Sequence, residues 1–194
     1  MAELLLFHHA QGLTSGVLAF ADELRAAGHV VHAPDLFEGR TFASLDEGIA
    51  HAQEVGFDTV IERGTAAAAG LPDALVHAGF SLGVLPAQLL AQTRPGTRAA
   101  VFFHSCIPPS QLGGEWPAGV PLQIHIMEND PLALPPEADL ETARELDATV
   151  DGAELFLYAG DRHLFADPSL PPYDEGAAKL ATRRVVELLD TLGQ

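Results

Sequence analysis

The chain has 194 residues, 47% of them hydrophobic, and its 27 acidic and 10 basic side chains leave a formal net charge of −17. So acidic a surface repels phosphate backbones and anionic lipid, which excludes nucleic-acid and membrane-surface roles. The length suits one sizeable core, so a single domain over 1–194 is expected.

Cys106 is the lone cysteine, which rules out an internal disulfide. The opening segment Met1–His8 reads as a short buried strand rather than a leader, and no run approaches the ~18 apolar residues of a membrane span. A cytoplasmic protein is the expectation.

In chain order, apolar runs alternate with amphipathic stretches. Glu3–His8 is strand-like, Ser15–Ala27 helical, His29–Ala33 strand-like, and Leu45–Ala69 helical with a break near Gly56. Ala74–Gly79 is the next strand and Leu82–Gln92 the next helix, followed by the strands Ala99–His104 and Leu122–Met127. Leu140–Val150, Glu154–Tyr158 and Asp174–Leu192 close the series as helix, strand and helix. The last helix carries Leu180, Val185, Leu188, Leu189 and Leu192 at helical spacing. Strands without polar alternation are covered on both faces, and their alternation with helices predicts a parallel α/β sheet. In such a sheet chemistry collects just past the carboxyl ends of the strands.

That rule picks out three loops. Gly79-Phe80-Ser81-Leu82-Gly83 is G-x-S-x-G between a strand and a helix, the setting in which a sharp turn presents a serine hydroxyl above the sheet. Leu82 N–H follows the serine and is placed to donate to an oxyanion. The strand Leu122–Met127 runs into Glu128-Asn129-Asp130-Pro131, and Glu154–Tyr158 into Ala159-Gly160-Asp161-Arg162-His163. Nucleophile, acid and base thus fall in the order Ser81, Asp130, His163, with Glu128 and Asp161 as rivals to Asp130. A serine hydroxyl needs a base to take its proton, and histidine needs a carboxylate to fix its tautomer. Among the other histidines, His8, His9, His104 and His125 lie in or just after strands. No H-x-x-x-H helix or His/Cys pair joins them, so no metal site and no cofactor is expected.

With these residues in place, the chain resembles the dienelactone hydrolase family over about nine tenths of its length. The resemblance is carried by His8-His9-Ala10-Gln11-Gly12, Ala33-Pro34-Asp35-Leu36-Phe37, the Ser81 turn, Glu128-Asn129-Asp130-Pro131, and Ala159–Ala166 with the Pro-rich Pro168–Tyr173 after it. It implies an α/β-hydrolase fold with six strands ordered 2-1-3-4-5-6, helices on both faces and no cap domain. It also implies a second oxyanion donor, the Ala10 N–H. Members acting on dienelactone have cysteine where this chain has Ser81, and an acidic residue where it has His9, so their thiol-switching device is absent here.

The expected activity is hydrolysis of a small carboxylic ester or lactone through an acyl-enzyme. The alternative is a non-catalytic ligand-binding or sensor protein on the same scaffold. His9, Phe37, Glu38, Arg40, His104 and Phe165 are expected to line the pocket from their places near strand ends, in a monomer or homodimer.

Overall fold

The computed structural model describes residues 1–193. Six parallel strands form one sheet: β1 (Glu3–Phe7), β2 (Val30–His32), β3 (Val76–Phe80), β4 (Ala99–Phe103), β5 (Leu122–Met127) and β6 (Ala153–Tyr158), in the spatial order β2-β1-β3-β4-β5-β6. This is the expected α/β-hydrolase order. Parallel neighbours require crossovers, which α1 (Ser15–Ala26), α2 (Leu45–Val55), α3 (Phe57–Ala67), α4 (Val84–Thr93) and α5 (Asp139–Thr149) supply except between β4 and β5, where the chain crosses through a loop with a 3-10 turn at Pro109–Gln111. Helix α6 (Glu175–Leu192) follows β6. No cap domain interrupts the series among the described residues.

Side chains of a strand alternate between faces, and the sequence uses that alternation to build two cores. Leu4 and Leu6 of β1, Val76, Ala78 and Phe80 of β3, and Val101 and Phe103 of β4 join Val17, Phe20 and Leu24 of α1 and Val185 and Leu189 of α6. Leu5, Phe7, Ala100, Phe102, Ile124 and Ile126 face the other way, against Val60 of α3, Ala87 and Leu90 of α4, and Leu140 and Leu146 of α5. Both faces of β3, β4 and β5 are buried, which explains why these strands read as unbroken apolar runs.

Local signals set the helix ends. Thr14, Ser44 and Asp174 cap α1, α2 and α6 by accepting from the N–H of Val17, Glu47 and Ala177. Gly56, at φ 90°, ends α2 and starts α3, the break expected there. The helix expected from Leu82 begins instead with a 3-10 turn over Ser81–Gly83, and α4 proper starts at Val84. Among the described residues no helix is long and apolar enough to cross a membrane.

Candidate active site

Ser81 sits at the step from β3 into the 3-10 turn with φ 48°, a left-handed conformation that a non-glycine residue holds at a cost. Gly79 and Gly83 make that turn possible. A Cβ on Gly79 would collide with the Gly83 carbonyl, and one on Gly83 with the carbonyls of Phe7 and His8. The backbone therefore folds tightly against β1 and leaves the Ser81 hydroxyl forward of the sheet.

Asp130 lies in the turn after β5, fully buried, its backbone N–H donating to the Met127 carbonyl at 3.2 Å. Its Oδ1 accepts from Leu132 N–H at 2.9 Å, and its Oδ2 is 2.7 Å from His163 Nδ1. His163 follows β6, and its Nε2 is 2.9 Å from Ser81 Oγ. An ionised carboxylate only accepts hydrogen bonds, so Nδ1 carries the proton and Nε2 offers its lone pair to the serine hydroxyl. The two rivals of Asp130, Glu128 and Asp161, are both exposed and stand outside this chain of hydrogen bonds.

The serine opens on a cavity of about 350 Å³ that Ala10, Ser81, Leu82 and His163 line together. That volume fits a small ligand. Ala10 N–H has no protein acceptor among the described residues. Leu82 lies in the first turn of a helix, where N–H groups have no intrahelical partner. Ile49 and Ala52 of α2, Phe57 at the start of α3, Leu85 of α4, Ile107 and Leu132 supply an apolar wall, and Ser105, Glu137 and Asp139 a polar one. The Ile107 segment is clamped by Gln88, whose amide donates to the Ile107 carbonyl at 2.6 Å and accepts from its N–H at 3.1 Å. A larger groove of about 770 Å³ lies beside Trp116 and the α5 face and contains neither Ser81 nor His163.

None of the six expected pocket residues lines this cavity. Phe37 and Phe165 are buried in the core, and Phe37 packs edge-on against His8. Glu38 and Arg40 are exposed on the loop after β2, where Glu38 pairs with Arg63 at 3.1 Å. The loop is fixed from within: Leu36 N–H donates to His8 Nε2 at 2.9 Å, and Phe37 N–H to Asp35 Oδ1 at 2.8 Å. His104, at φ 69°, turns back between Phe80, Phe165 and the far side of His163, with ring centroids 5.4 Å apart in the last pair. Neither of its ring nitrogens has a protein partner among the described residues, and burial, with the neighbouring histidines, holds its pKa well below the usual value.

His9 is buried rather than open to the cavity, and it belongs to a second hydrogen-bonded cluster. Its Nδ1 accepts from Gln11 N–H at 3.2 Å, so Nε2 carries the proton donated to Asp167 Oδ2 at 2.8 Å. Asp167 also accepts from the hydroxyls of Thr14 and Ser169, each at 2.6 Å, and from Ser169 N–H at 2.8 Å. Burial pushes its pKa up, but these donors outweigh burial and leave the carboxyl below the ordinary value. The cluster ties the loop after β1, which carries Ala10, to the loop that carries His163. Asp167→Ala strands four donors, and is expected to lower unfolding free energy by about 2–4 kcal/mol in urea titrations.

A parallel sheet of this order, with serine, acid and histidine in its strand-end loops, defines the α/β-hydrolase class. The family model for the dienelactone hydrolase family matches residues 3–193, and the chain belongs to that family. No curated protein matches it. Among solved structures it is similar to a dienelactone hydrolase-like promiscuous phosphotriesterase from metagenomic libraries, with a TM-score of 0.75, 20% identity, and coverage of 99% of this chain and 87% of that one. It is similar also to a Klebsiella pneumoniae protein assigned as a dienelactone hydrolase (TM-score 0.76, 20% identity, 98% and 87% covered). A thermophilic esterase from Thermogutta terrifontis, solved with butyrate bound, matches at a TM-score of 0.64 and 19% identity, with 99% and 84% covered. At these identities the likeness is one of fold.

Proposed function

We propose that the protein is a serine hydrolase that cleaves small carboxylic esters or lactones through an acyl-enzyme. The observation that carries this reading is the hydrogen-bonded series Ser81–His163–Asp130, at 2.9 and 2.7 Å, opening on a cavity of small-ligand size. Family membership supports ester or lactone substrates.

In the proposed reaction Ser81 Oγ attacks the ester carbonyl carbon as its proton passes to His163 Nε2. The carbonyl oxygen becomes an oxyanion that accepts from the N–H groups of Ala10 and Leu82, a pair of fixed donors each worth about 10²–10³ in rate. Collapse breaks the carbon–oxygen bond to the alcohol, which takes the proton from His163 and leaves an acyl-Ser81 ester. Water then gives a proton to His163 and attacks the acyl carbon. The second collapse returns the proton to Ser81 and releases the carboxylic acid. Asp130 holds the Nδ1–H tautomer throughout and stabilises the imidazolium. No step calls for a metal or cofactor.

The test is labelling with a fluorophosphonate probe read by intact mass, together with turnover of short-chain esters and lactones. One equivalent of label on the wild type and none on Ser81→Ala is the expected result. A folded wild type that neither labels nor turns over any ester overturns the reading. Asp130→Asn allows the opposite histidine tautomer, and kcat is expected to fall by about 10⁴ with the fold intact by circular dichroism.

A further inference from the structure

The cavity beside Ser81 has a one-sided charge pattern. Its apolar wall includes Phe57, a large aromatic side chain that is 45% exposed and so presents a bare ring at the pocket. The only ionisable side chains lining it besides His163 are Glu137 and Asp139, and among the described residues no lysine or arginine lines it. Asp139 Oδ2 is engaged, accepting from Ser105 Oγ at 2.6 Å and Cys106 N–H at 3.3 Å. Its Oδ1 has no protein donor among the described residues and remains an open acceptor on that wall. Glu137 is exposed and has no pairing cation among the described residues.

These features set the sign of the ligand. A carboxylate entering the cavity meets two like charges and no compensating cation, within walls whose apolar groups weaken screening by water. An ammonium group meets the reverse, with an open carboxylate oxygen and an aromatic face, the two elements that recognise quaternary ammonium ions.

Resting on the serine-hydrolase reading above, we propose that the substrate is a small ester bearing a positive charge on an otherwise apolar body, with Glu137 and Asp139 as the specificity-determining residues. Ester cleavage then follows the balance already given, and the charge is read without a further chemical step.

The experiment uses three butyrate esters of similar bulk: the choline ester, its neutral 3,3-dimethylbutyl isostere, and an ester whose alcohol carries a carboxylate. The expected order of kcat/KM is choline, neutral, anionic, with about 10-fold between successive members. Glu137→Gln, at the exposed rim, and Asp139→Asn are each expected to compress the choline-to-anion ratio severalfold. The ratio should also shrink between 0.01 and 0.5 M salt. Equal turnover of the three esters, a preference for the anion, or a ratio unmoved by both variants overturns the assignment while leaving the hydrolase reading intact. If no ester is turned over and the fluorophosphonate fails to label, the hydrolase reading falls and this one with it.

Discussion

Ser81→Ala is expected to lower kcat for a short-chain ester by about 10⁶-fold, with His163→Ala close behind and the double variant no worse than either alone. The reason is that hydroxyl and imidazole act as one unit. Without His163 Nε2 at 2.9 Å the serine has no acceptor for its proton, and without Ser81 Oγ the base has nothing to activate on the acyl-transfer path. What survives is the rate supplied by binding and by the Ala10 and Leu82 donors, about 10³–10⁴ above water. Steady-state kinetics on the two single variants and the double variant provide the check, with melting temperature as the control for folding. Multiplicative losses would mean that the two side chains work independently, and the proposed proton transfer between them would be wrong. The Ser81 backbone strain adds a second reading. Ser81→Gly relieves φ 48°, so it is expected to match Ser81→Ala in lost activity while unfolding at an equal or higher temperature.

How much of this is legible in the sequence depends on what kind of constraint each residue obeys. The strands and both cores follow from runs such as Leu4–Phe7 and Ala99–Phe103, where burial on both faces leaves no polar position to misread, whereas the order of the strands comes only from the family resemblance. Ser81, Asp130 and His163 can be named because each occupies a loop directly beyond a strand end. Chain order puts Asp130 forward with Glu128 and Asp161 as rivals, and the physical ground for Asp130 over Glu128 is the turn after Met127, which buries Asp130 and exposes Glu128. The pocket wall is illegible for the same reason that Ser81, Asp130 and His163 are legible. It is built from helix residues Ile49, Phe57 and Asp139 and from mid-loop residues Ile107, Leu132 and Glu137, none of which a strand-end rule selects. The rule instead selects His9, Phe37, His104 and Phe165, whose side chains turn inward because apolar partners or a buried carboxylate wait there. The one available hint is Phe57, an aromatic residue directly after the Gly56 break, where a helix corner leaves it uncovered.

Acid is expected to unfold the protein cooperatively at a pH well above the ordinary carboxylate range. Burial holds His8 and His77 down at about 4 and His125 at about 3, and keeps His104 well below the usual value of 6.5. The unfolded chain therefore takes up protons below pH 6.5 that the native state refuses. The stability these groups contribute is complete above 6.5 and is lost as pH falls toward their native values. Each pH unit that separates a group's unfolded and native pKa is worth about 1.4 kcal/mol. One such histidine therefore withdraws about 3 kcal/mol by pH 4, and three withdraw as much as the typical total of about 5–15 kcal/mol. Asp167, held low by its donors, adds a further loss below pH 3.8, whereas Asp139, pushed up by burial, acts in the opposite sense. Urea titrations between pH 8 and 4.5 are expected to give a steadily falling unfolding free energy, steepest below pH 6. His77→Leu isolates one contributor, because His77 is fully buried with both ring nitrogens lacking a protein partner among the described residues. Its removal is expected to leave stability at pH 8 equal or higher, since an unsatisfied buried polar group is lost, and to flatten the acid limb by about one histidine's share. A wild-type stability that stays flat from pH 7 to 5 would mean that these imidazoles take up protons inside the folded protein, and that the core around them admits water.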